Sequence, residues 1–119
     1  MFTEEQIQQV WEKGQIVTGF DSAIARKDAC GAWMLRYNYA DENSIYGWEI
    51  DHVFPKNLGG NDNIENLRPM QWNNNRAKGN DYPSYSTKVK AIGNENRFVD
   101  GQYTVNAELQ EKLSTLYSL

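Results

Sequence analysis

The sequence predicts an α+β fold: a single small domain spanning residues 1–119, built around a strand–strand–helix (ββα) unit at about residues 45–80 and flanked by N- and C-terminal helices. Three features point to it. Helical periodicity is clearest at the two ends of the chain. Runs rich in aromatic and long apolar residues, which read as strands, fill the middle. No linker composition divides the 119 residues, a length that suits one domain.

Residues 3–13 read as a helix. Thr3 and Gln6 have the spacing of a capping box, Ile7, Val10 and Trp11 make one apolar face, and Gly14 is placed to end it. "DSAIARKD" (21–28) reads as a short helix started by Asp21 or Ser22. "AWMLRYNY" (32–39) and "IYGWEIDHVF" (45–54) read as strands, with "ADENS" (40–44) as a turn, so 32–54 is expected to form a hairpin. Pro55 has no N–H for a ladder and ends the second strand. "KNLGGNDN" (56–63) is a loop, "IENLRPM" (64–70) a short extended piece, and "NNNRAKGN" (73–80) a short helix stopped by Gly79. "DYPSYS" (81–86) is a loop. Residues 87–105 read as a helix followed by extended "RFVDGQYTV" turning at Asp100-Gly101. The last segment, 106–118, is helical, with Asn106 as cap and Leu109, Leu113 and Leu116 on one face.

Composition narrows the function. Cys30 is the only cysteine, which rules out an internal disulfide and a cysteine-based zinc site; it reads as a small buried hydrophobe. No apolar run approaches the roughly 20 residues of a membrane span, so no membrane partner is expected. The N-terminus is acidic and amphipathic and does not read as a secretory signal, which predicts a cytoplasmic protein or a chain already processed. Net charge is −4, unlike a general nucleic-acid coat. The acid excess lies mostly outside residues 47–80, where four acids face four bases.

The single histidine sits in "GWEIDHVFPKN" (47–57), directly after Asp51. Neighbours on a strand point to opposite sides. Asp51 suits a hard divalent cation, and His52, whose imidazole can accept or donate a proton, suits a water molecule. The helix that follows the Gly-Gly loop can bring a second oxygen ligand, the Asn75 amide, toward a metal held by Asp51.

The stretch "EIDHVFPKNLGGNDNIENLRPMQWNNNRAKGN" (49–80) resembles the motif of the HNH endonucleases, of the ββα-metal nuclease group. It has Asp-His, a Pro, a Gly-Gly loop, Asn-Leu, and a closing Asn followed by a Lys; "RKDACGAW" (26–33) resembles the lead-in of that motif. The resemblance implies a metal-dependent endonuclease that hydrolyses phosphodiester bonds of DNA. His52 matches the general base and Asn66 the central Asn that braces the loop and orients the histidine. Asp51 and Asn75 match the ligands of one divalent metal, Mg²⁺ or Mn²⁺ before Ni²⁺ or Zn²⁺. Lys78 matches a phosphate contact, with Arg76 assisting. Asn73 and Asn74 stand beside Asn75, and the interval from Asn66 favours Asn75.

The chain departs from the many relatives of that family that hold a structural zinc on paired cysteines. Gln71 and Asn74 stand where the second pair would be, so no structural zinc is expected, and packing by Trp48, Trp72, Leu67, Met70, Ile64, Val53 and Trp33 must replace it. Two other readings share the scaffold. One is a catalytically idle binding or inhibitory protein that meets a basic protein partner through its acidic surface. The other is a toxin or effector nuclease held off by an inhibitor protein.

Overall fold

The computed structural model describes all 119 residues and consists of three α-helices and three separate two-stranded antiparallel ribbons. Helix α1 (Glu4–Trp11) starts at Thr3, whose hydroxyl accepts the Gln6 N–H while the Gln6 side chain accepts the Thr3 N–H, the capping box expected from the spacing. Strands β1 (Ala25–Lys27) and β2 (Trp33–Leu35) form the first ribbon. Strands β3 (Trp48–His52) and β4 (Leu67–Gln71) form the second, which runs directly into helix α2 (Trp72–Lys78). Strands β5 (Ser84–Ile92) and β6 (Glu95–Thr104) form the third, and helix α3 (Ala107–Tyr117) closes the chain.

Three expectations are corrected. The 21–28 segment makes a single turn, in which the Asp21 carboxylate accepts the Ala23 N–H, before β1 begins. The 32–54 hairpin does not form. β2 pairs with β1 and β3 pairs with β4, because the apolar 64–70 stretch offers β3 a fully buried partner. Residues 87–105 contain no helix. Val89 and Tyr85 alternate inward at period two along β5, and the reversal comes at Gly93 (φ 62°) rather than at Asp100-Gly101, which lies inside β6.

The β3–β4 ribbon divides the core. Trp48, Ile50 and Leu67 face α1 and pack with Ile7, Val10, Trp11 and Met34. Val53 and Met70 face the other way and pack with Cys30, Phe54, Tyr85, Val105 and Leu113. Trp48, Leu67, Met70, Val53 and Trp33 are buried as expected; Ile64 is 40% exposed and makes no core.

The ribbons share no ladder, and buried polar side chains join them instead. Asp28, just after β1, accepts the Cys30 and Ala32 N–H groups on one oxygen and the Gln71 N–H and the Asn74 amide on the other. Asn74 in turn accepts the Lys88 and Val89 N–H groups and donates to the Val89 carbonyl. Asn96 on β6 accepts the Trp33 N–H and donates to the carbonyls of Trp33 and Ile45. Gln71 and Asn74, standing at the expected place of a cysteine pair, are thus knots of a hydrogen-bond network.

Burial pushes the Asp28 carboxyl above its ordinary value, against the four donors, which pull it down. Replacing Asp28 by Asn turns one acceptor oxygen into a donor that faces buried N–H groups. Asp28→Asn is expected to cost about 3 kcal/mol or more in urea unfolding, since each unpaired buried donor costs roughly 1–3 kcal/mol. Burial also pushes the Cys30 thiol up to about 12. Cys30 should therefore resist Ellman's reagent at pH 8 in the folded protein and react fully in denaturant.

Candidate functional site

The strand β3 ends at a cleft of about 330 Å³ lined by Asp51, His52, Pro55, Lys56, Asn75 and Arg76, with Ile50, Gly79 and Asn80 at its margins. Four of the six residues singled out in the sequence therefore meet at one place. Lys78 and Asn66 do not line it.

Asp51 is 3% exposed and lies opposite Arg68 in the β3–β4 register. Arg68 Nε donates to its Oδ2 at 2.9 Å, and Lys78 Nζ stands 3.3 Å from its Oδ1. Lys78 also donates to the His52 carbonyl at 3.1 Å, and its side chain is wholly buried. This corrects the expected phosphate contact: Lys78 is i+4 from the buried Asn74 and shares its inward face of α2, so it serves as a counter-ion beneath the cleft. Burial lowers Lys78 below the ordinary lysine value, against the pull of Asp51. At Arg68 burial also lowers, yet Asp51 and Tyr85 outweigh it and the net direction is up. The carboxylate wins at the shorter contact and desolvation at the longer one.

His52 is on the opposite side of the strand, one-fifth exposed, with Nε2 2.7 Å from Asp62 Oδ1. An ionised carboxylate only accepts, so Nε2 carries the proton and, in a neutral ring, Nδ1 holds the lone pair. No hydrogen bond engages Nδ1. Asp62 is in turn 3.5 Å from Lys56 Nζ.

Asn66 holds this arrangement from behind, completely buried. Its Oδ1 accepts the Phe54 N–H at 2.7 Å, and its Nδ2 donates to the carbonyls of Phe54 and Asn61. One amide therefore ties the chain two residues after His52 to the chain one residue before Asp62. Its role in the structure is positioning, since it reaches neither the cleft nor the imidazole. The two glycines of the loop serve different ends. Gly59 adopts φ 116°, and a Cβ on Gly60 would meet the Phe54 carbonyl oxygen at 1.8 Å. From the far side, Tyr117 of α3 donates to Asn61 Oδ1 at 2.8 Å.

Asn75 donates through Nδ2 to Glu49 Oε1, which leaves its Oδ1 without a hydrogen-bond partner on the cleft wall. Asn73 and Asn74 point elsewhere: Asn74 into the buried network and Asn73 onto the Gln71 amide. Arg76 is exposed, but its Nη2 is bonded to both Glu42 and Glu49, so most of its charge is met within the protein. Nowhere do three or more His, Cys, Asp or Glu side chains converge as a metal cage. The oxygens that the cleft does offer, the Asp51 carboxylate and the free Asn75 carbonyl, are of the hard type suited to Mg²⁺ or Mn²⁺, which keep several waters. The residues fit such an ion in chemical type, with the Lys78 ammonium already on Asp51.

No protein-family model, curated protein or solved structure matches the chain. No helix is long and apolar enough to cross a membrane.

Asp62, Lys56, Arg68 and Glu49 were not singled out from the sequence. Arg68 and Glu49 become visible only through the β3–β4 register and the packing of α2. Asp62 had one signal, a carboxylate in the loop after the only histidine. The His52 hydrogen bond, with Lys56 beside it, holds the Asp62 carboxyl below the ordinary aspartate value. The contribution of that contact to stability is thus complete above the unfolded value of about 3.9 and is lost as pH falls through the lower folded one. Carbon-13 titration of Asp62 should show a midpoint below 3.9 that returns to the ordinary range in His52→Ala.

Proposed function

We propose that the chain is a small metal-dependent endonuclease of the HNH type that hydrolyses phosphodiester bonds of DNA. The observation that carries this reading is the meeting, in one cleft, of His52, whose Nε2 is hydrogen-bonded to Asp62 outside the cleft, with the Asp51 carboxylate and the Asn75 amide on neighbouring elements. The order Asp-His, Gly-Gly, Asn, Asn in the sequence is consistent with it.

His52 acts as the base. Asp62 keeps the proton on Nε2, which leaves the Nδ1 lone pair to take a proton from an attacking water, and then balances the imidazolium that forms. Asn66 holds the strand end and the loop at the spacing this pair needs. Asp51 and Asn75 are the residues that would hold the divalent ion. When bound, that ion supplies positive charge to the phosphate and the leaving oxygen. Arg68 and Lys78 keep the Asp51 side chain in place from below. Lys56 and Arg76, at the rim, are the exposed cations available to phosphates, and both are already paired with carboxylates. Affinity for bare DNA is accordingly weak.

The same pairing favours the second reading, a binding protein with an idle cleft, because it leaves little free positive charge for a nucleic acid. Plasmid cleavage separates the two. Purified protein at low salt should nick supercoiled DNA with Mg²⁺ or Mn²⁺ and not with EDTA. His52→Ala should lose about 10²-fold or more while keeping its circular dichroism, because the ring belongs to neither apolar core. Asp62→Asn should lose activity more mildly. Absence of cleavage with any metal across pH 6–9 would reject the nuclease in favour of the binding protein.

A further inference from the structure

Lys78 is the buried charged group whose chemistry the proposed reaction does not use. Its side chain is wholly buried, and its ammonium has two partners, Asp51 Oδ1 and the His52 carbonyl. No substrate can reach it there. Asp51 Oδ1 therefore faces a cation before any metal arrives, while Arg68 holds Oδ2. One carboxylate is shared by two buried cations, and Asp81 is the other acid whose charge acts on Lys78. Glu49, the next carboxylate on that face, is taken by Asn75 and Arg76. A divalent ion bound between Asp51 and Asn75 would add two more positive charges beside an ammonium at low local dielectric, where charges several ångströms apart interact strongly. Lys78 and Asn75 are three residues apart on α2 and so occupy neighbouring positions of its surface.

We propose that Lys78 is a built-in competitor for the metal position. Its ammonium keeps Asp51 paired in the metal-free protein and weakens divalent-ion binding. Removing the charge destabilises the protein without metal and tightens its hold on metal. This inference rests on the proposed Asp51–Asn75 site. A purely structural lysine would behave differently, because its removal would lower stability and leave metal affinity unchanged or reduced. The opposite signs of the two effects are therefore the signature.

The test compares wild type, Lys78→Met, which keeps most of the apolar stem, and Lys78→Arg, which keeps the charge. Mn²⁺ binding is read from the electron paramagnetic resonance signal of the free ion, and metal-free stability from thermal unfolding. Lys78→Met should bind Mn²⁺ at least about tenfold more tightly than wild type and unfold at a lower temperature without metal, while Lys78→Arg should show no such gain in affinity. If Lys78→Met does not fold without metal, Mn²⁺ should restore its circular dichroism, and failure to do so overturns the proposal. Binding equal to or weaker than wild type overturns it too, with the metal site itself intact. Binding by Lys78→Met alone supports it. If no variant binds Mn²⁺, the metal site is what fails, and the competition with it.

Discussion

The Asp28 carboxylate is the contact on which the rest of this fold depends. Three two-stranded ribbons make up the β-structure, and a lone ribbon is marginal in water. No backbone ladder joins one ribbon to another. Asp28 compensates by accepting four N–H groups, from the loop after β1 and from the start of α2, at a buried position. Asn74 carries the connection on to β5, and Asn96 returns it from β6 to β2. Such a network is strong only while every member is satisfied, which explains why three polar side chains are spent deep in so small a core.

A second buried carboxylate, Asp51, is treated differently. Where Asp28 is neutralised by dipoles, Asp51 is neutralised by whole charges, Arg68 and Lys78. Buried ion pairs of this kind bring little net stability, because desolvation offsets the attraction, yet breaking one leaves a charge stranded. The arrangement holds a carboxylate at the wall of a cleft, beside an amide oxygen that has no partner.

The opposite wall depends on distant parts of the chain. The loop that carries Asp62 is pinned by Asn66 from β4's approach and by Tyr117 from α3, near the end of the sequence. His52 therefore meets its carboxylate through contacts with residues 14 and 65 positions further along. The C-terminal helix, whose leucine face suggests only core packing, also helps to set the geometry of the cleft.

Local chemistry made part of this readable in advance. The capping box at Thr3, the Asn106 cap, the stop at Gly79 and the burial of Trp48, Leu67 and Met70 all follow from interactions within a few residues or from side-chain type, whereas β3 ends at His52, three residues before Pro55. The gathering of Asp51, His52 and Asn75 was likewise signalled by their order along the chain. Strand pairing was not, because an apolar stretch does not state its partner: β3 fits against β2 or β4 by periodicity alone, and only burial on both faces selects β4. Tertiary structure alone decided that Lys78 lies beneath the cleft, that Arg76 is tied to two glutamates and that Asp62 meets His52. Whether a lysine binds a phosphate or a buried carboxylate is a difference between solvation and pairing energies, and that difference exists only once the surrounding surfaces have closed.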